Sequence, residues 1–323
     1  MLTEHDPISL RSIDNVTCFL CGSNEEIGKE HVFPKWLQHR HNLWNRKLVL
    51  QNNTMIDYKH LVIPCCRSCN NEHLARLEDR VKTAVEEGYD SCMNLTPLEI
   101  MQWVGKMYFG ILKKELTLVS DRANDSNESI LDVSLIDNYR VLHLMLQSIR
   151  TAVSMQSAEN RIFSVHVANL LSDEIEAEFD FRDSTNLLVA GIRLGSVGFI
   201  VAFHDAGLTH DTYGQYLTDV GGRKLHPSQF KELYAKVLYQ NSLLNRSPKF
   251  LSSVPLNPEG PISLTMLPLA WLSQLPVIGD WNQEDYAHTL AFLLGYGEDV
   301  LEDPSFFSKP SLVRTWMTDQ RGR

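Results

Sequence analysis

The sequence predicts a mixed α+β protein in two parts, a small cysteine-rich head and a larger acidic body. Three observations predict it. All six cysteines, at positions 18, 21, 65, 66, 69 and 92, fall in the first third of the 323 residues. Charge divides the same way: residues 1–82 carry 11 Lys/Arg against 10 Asp/Glu and 6 of the 12 histidines, whereas the remainder carries 19 against 30. Helical and strand periodicities also alternate along the chain with no internal repeat. The division is placed at residue 90. The head is then 1–90 and the body 91–323, helical over 97–157, strand-rich over 161–205, and helical and Pro-rich over 227–323.

Composition narrows the function classes. With 43% hydrophobic and 22% charged residues, the chain can bury a core and is not a disordered or collagen-like sequence. A net charge of −10 argues against nucleic-acid binding by the whole chain, but the near-neutral, His-rich head escapes that argument. The opening MLTEHDPISLRSIDN has no basic and apolar leader pattern. The apolar stretches Asn186–Phe203 and Leu264–Trp281 are broken by Arg193 and by Pro268 and Pro276. Neither reaches the ~20 apolar residues that span a bilayer. A cytoplasmic, reducing setting without a membrane is the expectation.

In the head, Val16–Gly22 is a short apolar segment around a C-x-x-C turn, and Glu30–Leu37 follows. Lys47–Gln51 and Lys59–Pro64 read as a hairpin across Asn52-Asn53-Thr54. Cys66–Asn70 makes a second C-x-x-C turn. Asn71–Glu87 then has Leu74, Leu77, Val81 and Ala84 at helical spacing. In the body, Gly88–Thr96 reads as a connector, Pro97–Leu118 as a helix, Ser120–Ser129 as a loop and Leu135–Ser154 as a second long helix. Strands are expected at Ile162–Leu171 and Ala177–Arg182. Leu187–Arg193 and Val197–His204 form a hairpin across Leu194-Gly195-Ser196. Helices return at Pro227–Gln240 and Glu284–Leu294.

The chemistry concentrates on Cys18-x-x-Cys21 and Cys66-x-x-Cys69. Two such turns can bring four thiolates to the corners of a tetrahedron around Zn2+, a closed and therefore structural site. In a reducing compartment this reading outweighs disulfides. Cys65 could compete with Cys66, but the two-residue gap to Cys69 favours Cys66. Cys92 reads as core.

The order C-x-x-C, Glu30-His31 with Pro34 three residues on, then C-x-x-C followed at once by Asn70, resembles the HNH nuclease superfamily, in its zinc-stapled ββα-metal branch. That branch includes phage resolvase-like and restriction-type endonucleases. The resemblance covers roughly residues 16–85. It implies a ββα-metal module in the head and metal-dependent hydrolysis of phosphodiester bonds, most readily in double-stranded DNA, in a restriction or phage-defence setting. It assigns His31 as general base and Glu30 and Asn70 as ligands of a catalytic Mg2+ or Mn2+. His73, three residues after Asn70, would touch the phosphate or help hold the metal. The residue types suit the task. A neutral histidine accepts a proton near pH 7, and hard cations prefer oxygen donors.

Glu30 and His31 are neighbours, so on an extended strand they point opposite ways, and a bend or bulge is needed to turn both to one site. Family members usually carry Asp where this chain has Glu30. The residue supporting the base is left open among Asn52, Asn53 and His60. The stretch containing His39 and His41 (QHRHNLWNRK) could track phosphates.

The body has no G-x-G-x-x-G, Walker or G-x-S-x-G pattern. Its histidines at 143, 166, 204, 210, 226 and 288 lack ligand spacing. Dimerisation or a protein partner is the role expected of it. The rival function for the whole is a non-catalytic, zinc-stapled module that binds nucleic acid or protein.

Overall fold

A computed structural model of the chain describes residues 16–50, 53–116, 136–157, 159, 161–172, 179–220, 222–253, 261–271 and 274–295. In the head, strand β1 (Ile27–His31) is followed by Pro34, which cannot continue a strand ladder but suits a helix start. Helix α1 (Lys35–Arg40) follows, then β2 (Lys47–Val49) and β3 (Met55–Asp57), paired antiparallel. A 3-10 turn (Tyr58–His60) leads into β4 (Val62–Cys66), which returns antiparallel to β1. The second cysteine turn then opens a π-helical turn (Cys69–Leu74) that runs into α2 (Ala75–Glu87). The head is therefore two long-range paired strands and a helix, with α1 and a small hairpin inserted between the strands.

The expected hairpin exists but its second arm differs. Met55–Asp57 pairs with β2, while the expected arm Lys59–Pro64 is divided between the 3-10 turn and β4. Asn53 is the reason: it sits at φ 59°, a left-handed turn position that Asn tolerates, and so closes the hairpin early. Gly88–Thr96, expected as a connector, holds the short α3 (Tyr89–Cys92).

Helix α4 (Pro97–Leu116) is buried at every position from Ile100 to Leu112, which identifies it as the central helix. The expected helix 135–154 is shorter. Helix α5 (Ile136–Leu146) ends in a 3-10 turn, and the β-branched Val153 starts strand β5 (Val153–Ser157) instead. Strands β6 (Ser164–Asn169), β7 (Phe179–Ser184), β8 (Val189–Leu194) and β9 (Val197–Ala202) form an antiparallel sheet in the order β6-β9-β8-β7. Helix α6 (Leu208–Val220) was not legible in the sequence. Helix α7 (Pro227–Ser242) starts with His226 capping Ser228, and α8 (Gln283–Leu294) starts with Asn282 capping Glu284 and Asp285. Strands β10 (Phe250–Ser253) and β11 (Ile262–Met266) complete a second sheet with β5, in which β11 and β5 are parallel. Residues 51–52, 117–135 and 296–323 lie outside the described residues. They include Asn52, the Ser120–Ser129 loop and Leu135.

The α+β class holds. The body is layered, with α4 on one face of the four-stranded sheet and α7 on the other. Strands β8 and β9 are accordingly buried at all their positions, without polar alternation. Gly191 and Gly198 make the α7 layer possible, since a Cβ there would meet Tyr234 at 2.7 Å and Phe230 at 2.4 Å. Among the described residues no helix is long and apolar enough to cross a membrane.

The largest apolar cluster does not break at residue 90. It runs from Phe19 and Leu20 of the first cysteine turn through Trp103 and Met107 of α4 to Phe199 and Leu264. Head and body approach closely where Gly110 of α4 faces Val32, next to β1. A Cβ at Gly110 would lie 2.8 Å from Val32 Cγ2. Gly110→Val is expected to lower urea stability by about 3 kcal/mol through overpacking, with partial recovery when Val32→Ala is added. Unchanged stability of Gly110→Val would show that this close approach does not set the spacing of the two parts.

Candidate metal centre and the His31 face

Each cysteine turn is built locally. In the first, the Gly22 N–H donates to the Cys18 carbonyl (2.9 Å) and the Cys18 N–H to the Ser23 carbonyl (2.8 Å). Gly22 sits at φ 75°, a conformation that glycine adopts without strain. The Ser23 N–H points at Cys21 Sγ and the Cys69 N–H at Cys66 Sγ, both at 3.5 Å. Donors aimed at sulfur stabilise thiolates. The Phe19 N–H then donates to the Pro64 carbonyl (2.9 Å) and ties the first turn to β4, which carries Cys66.

The sulfurs of Cys18, Cys21, Cys66 and Cys69 consequently lie within 4.8 Å of one another. Four sulfurs at ~2.3 Å from a tetrahedral ion would be just under 4 Å apart, so the donor set can hold a structural metal such as zinc. The thiols of the cluster shift in opposite directions. Hydrogen bonds from Cys21, Cys65 and Cys69 pull the Cys18 thiol far below its ordinary value against the opposing effect of burial. The bond to Cys18 in turn helps push Cys21 up to about 11. Bonds to Cys18 and Cys21 push the Cys69 thiol up as well, so a cation would have to displace protons from the cluster. Cys65 points elsewhere from Cys66 on the same strand. Its sulfur is 4.0 Å from Cys18 but outside the four-sulfur group, and Cys92 is buried core as expected.

The body grips the first turn. His143 Nε2 donates to the Phe19 carbonyl (2.9 Å) and Gln147 Nε2 to the Leu20 carbonyl (2.8 Å). These are backbone acceptors that a buried turn would otherwise leave unpaired.

Glu30 and His31 are not brought together. Strand β1 pairs with β4 in unbroken register through Glu30↔Ile63 and His31↔Val62, so the expected bulge is absent and neighbouring side chains diverge. Glu30 turns inward. Its Oε1 accepts from Lys106 Nζ of α4, which also donates to the His31 carbonyl (2.6 Å) and to Glu78 Oε1 of α2 (3.0 Å). The Lys106 side chain is 1% exposed. Burial lowers its proton affinity, but the carboxylates of Glu30 and Glu78 outweigh that and hold the ammonium above its ordinary value. Burial pushes the Glu78 carboxyl up, with Lys106 opposing.

His31 is half-buried on the other side. Its Nδ1 is 3.4 Å from Gln38 Nε2, too long a contact to fix the tautomer, and its ring lies 5.7 Å from that of Trp44. His39 stacks on the same Trp44 at 4.8 Å. Burial first, then the Lys35 charge, holds the His31 imidazolium below its ordinary range, so the ring is neutral at pH 7.

Asn70 and His73 sit half-buried in the π-helical turn after Cys69. Among the described residues, Glu30, His31 and His73 do not form a group of donors that could hold one ion. Glu30 as placed does not fit a Mg2+ or Mn2+ ligand, because its oxygen faces an ammonium. Of the candidates for supporting the base, Asn53 forms a turn and His60 lies 3.7 Å from Asp57, while Asn52 is outside the described residues. The groups that do meet His31, Gln38 and Trp44, were missed. So was Lys106, although a lone lysine inside the apolar run VGKMYFG is a readable sign of a buried ion pair.

Cys18→Ser is expected to abolish the one metal per chain that elemental analysis should find, whereas Cys65→Ser should keep it. Equal loss in both would mean that Cys65 belongs to the ligand set. Comparison of the chain with protein-family models, with curated proteins and with solved structures gives no match.

Proposed function

We propose that the chain acts on nucleic acid through the face around His31, as an HNH-type phosphodiester hydrolase with double-stranded DNA as the expected substrate and zinc in the four-cysteine site. One observation carries the reading. Residues 27–56 contain five Lys/Arg and a single acid, Glu30, and that acid is turned inward onto Lys106. Lys29, Lys35, Arg40, Arg46 and Lys47 are all exposed, so every charge that this segment shows to solvent is positive. Such a surface attracts phosphates by releasing their counterions, even on a chain whose body is acidic.

His31 has the properties of a base beside it: neutral at pH 7, half-exposed, and packed against Trp44. Phosphates held by the basic side chains would bring a phosphodiester within reach. His31 would take the proton from an attacking water. Trp44 and His39 add aromatic surface for a sugar or an unpaired base.

A specific observation favours a second reading. With Glu30 occupied by Lys106, the face could bind nucleic acid without cutting it, as a zinc-stapled binding module. Nicking of supercoiled plasmid in Mg2+ or Mn2+, run beside duplex binding by fluorescence anisotropy, separates the two. The hydrolase is expected to nick, and His31→Ala to lose nicking while still binding. Binding without nicking by the wild type supports the second reading, and no binding removes both. Paired Lys35→Glu and Arg40→Glu changes should weaken binding and flatten its salt dependence by roughly one unit of log–log slope for each phosphate no longer neutralised.

The pH dependence follows from His31. An ordinary histidine is half-protonated at pH 6.5, but this one is held below that value. The midpoint of the acid-side fall in nicking should therefore lie below pH 6.5, where the imidazole takes up its proton. A decline beginning above pH 7 would point to a different base.

A further inference from the structure

Away from the His31 face, the body contains a cavity of about 740 Å³. That is within the ~300–1,000 Å³ usual for small-molecule sites. It lies along β6, the edge strand of the four-stranded sheet, with Met155 of β5 and Val165 and Val167 of β6 on one side and Leu217 of α6 on another. Met93, just after α3, and Ile100 of α4 contribute further apolar wall. Small residues keep the space open: Gly214 and Gly222 line it, and a Cβ at Gly222 would meet Tyr89 at 3.3 Å.

The polar lining includes Ser157, Thr218, two histidines and the exposed Arg161, its one cation of fixed charge. Arg161 lines the cavity with its stem laid across Gly207, where a Cβ would lie 2.7 Å from Arg161 Cβ. Gly207 is at φ 79°, so both its backbone conformation and its missing side chain make the seat for this arginine. Among the described residues the Arg161 guanidinium makes no ion pair or hydrogen bond. Its charge is felt by His210, also in the wall, which is held below its ordinary range first by burial and then by Arg161. Asp90 is the opposing acid on the lining, and it is exposed.

His166 adds a buried acceptor. Thr209 donates its hydroxyl to Asp205 (2.6 Å), so its oxygen accepts from His166 Nε2–H (3.2 Å). Nδ1 then carries a bare lone pair, without a partner among the described residues.

We propose that this cavity binds a small amphipathic organic anion, its apolar body lying on β5 and β6 and its acidic group pairing with Arg161. The inference is independent of what the His31 face does. The test uses the full chain and 8-anilino-1-naphthalenesulfonate, an aromatic acid whose fluorescence rises on binding, beside its neutral isostere N-phenyl-1-naphthylamine. Saturable binding of one sulfonate per chain is expected, with the neutral isostere weaker. Arg161→Gln should weaken the sulfonate by about tenfold, the size of one charge-assisted hydrogen bond, and leave the isostere unchanged. Val167→Trp, or Leu217→Trp from the opposite wall if the first fails to fold, should abolish both while circular dichroism and melting temperature stay near wild type. Binding indifferent to the folded tryptophan variant would overturn the site. Equal binding of acid and isostere to wild type would overturn the pairing with Arg161.

Discussion

One buried ammonium organises the head of this molecule. Lys106 stands in the middle of the central helix α4, and its three N–H donors meet three oxygens: the Glu30 carboxylate, the His31 carbonyl and the Glu78 carboxylate. Moving a charge of this kind out of water costs several kcal/mol, and only well-placed acceptors offset it. The three acceptors come from β1 and α2, so the same bonds that satisfy the lysine fix a head strand and a head helix against the body. They also decide what the outer surface looks like. With Glu30 drawn inward, the charged side chains that residues 27–56 show to solvent are all basic.

The cysteine cluster works at shorter range. Its two turns are stabilised by their own backbone hydrogen bonds and by N–H groups directed at sulfur. The body then closes over the first of them, pairing the Phe19 and Leu20 carbonyls with His143 and Gln147. A bound ion would contribute folding energy to a small strand–strand–helix unit. Here that unit also shares an apolar core with α4 and the four-stranded sheet. Cysteine cluster, ion pair and core thus act on the same few elements. This explains why His31 can be held half-buried and neutral at the end of a five-residue strand.

Much of this was legible in the residues, and the rest was not for identifiable reasons. The two C-x-x-C turns named their own cluster, because cysteine spacing is a local property. Pro97, the apolar spacing after it, and the Gly195-Ser196 turn likewise marked α4 and the β8–β9 hairpin. Side-chain direction on β1 was not legible, since it depends on the register with β4, a partner more than thirty residues away. The identity of Glu30's partner required knowing that α4 crosses β1. Helix α6 was missed because its sequence, LTHDTYGQYLTDV, mixes polar residues and a glycine and announces no clear apolar face. Val153–Ser157 was read into the preceding helix because its strand character depends on pairing with β11, over a hundred residues later.

The central claim is that Glu30 and Glu78 are held by Lys106, and unfolding in urea tests it directly. Lys106→Met leaves the buried Glu30 and the partly buried Glu78 carboxylates without their cation and is expected to cost about 3 kcal/mol. Adding Glu30→Gln and Glu78→Gln to the same chain removes the stranded charges and should recover most of that loss. If Lys106→Met alone is as stable as the wild type, the ammonium is not what holds the head to the body, and the inward turn of Glu30 needs another cause.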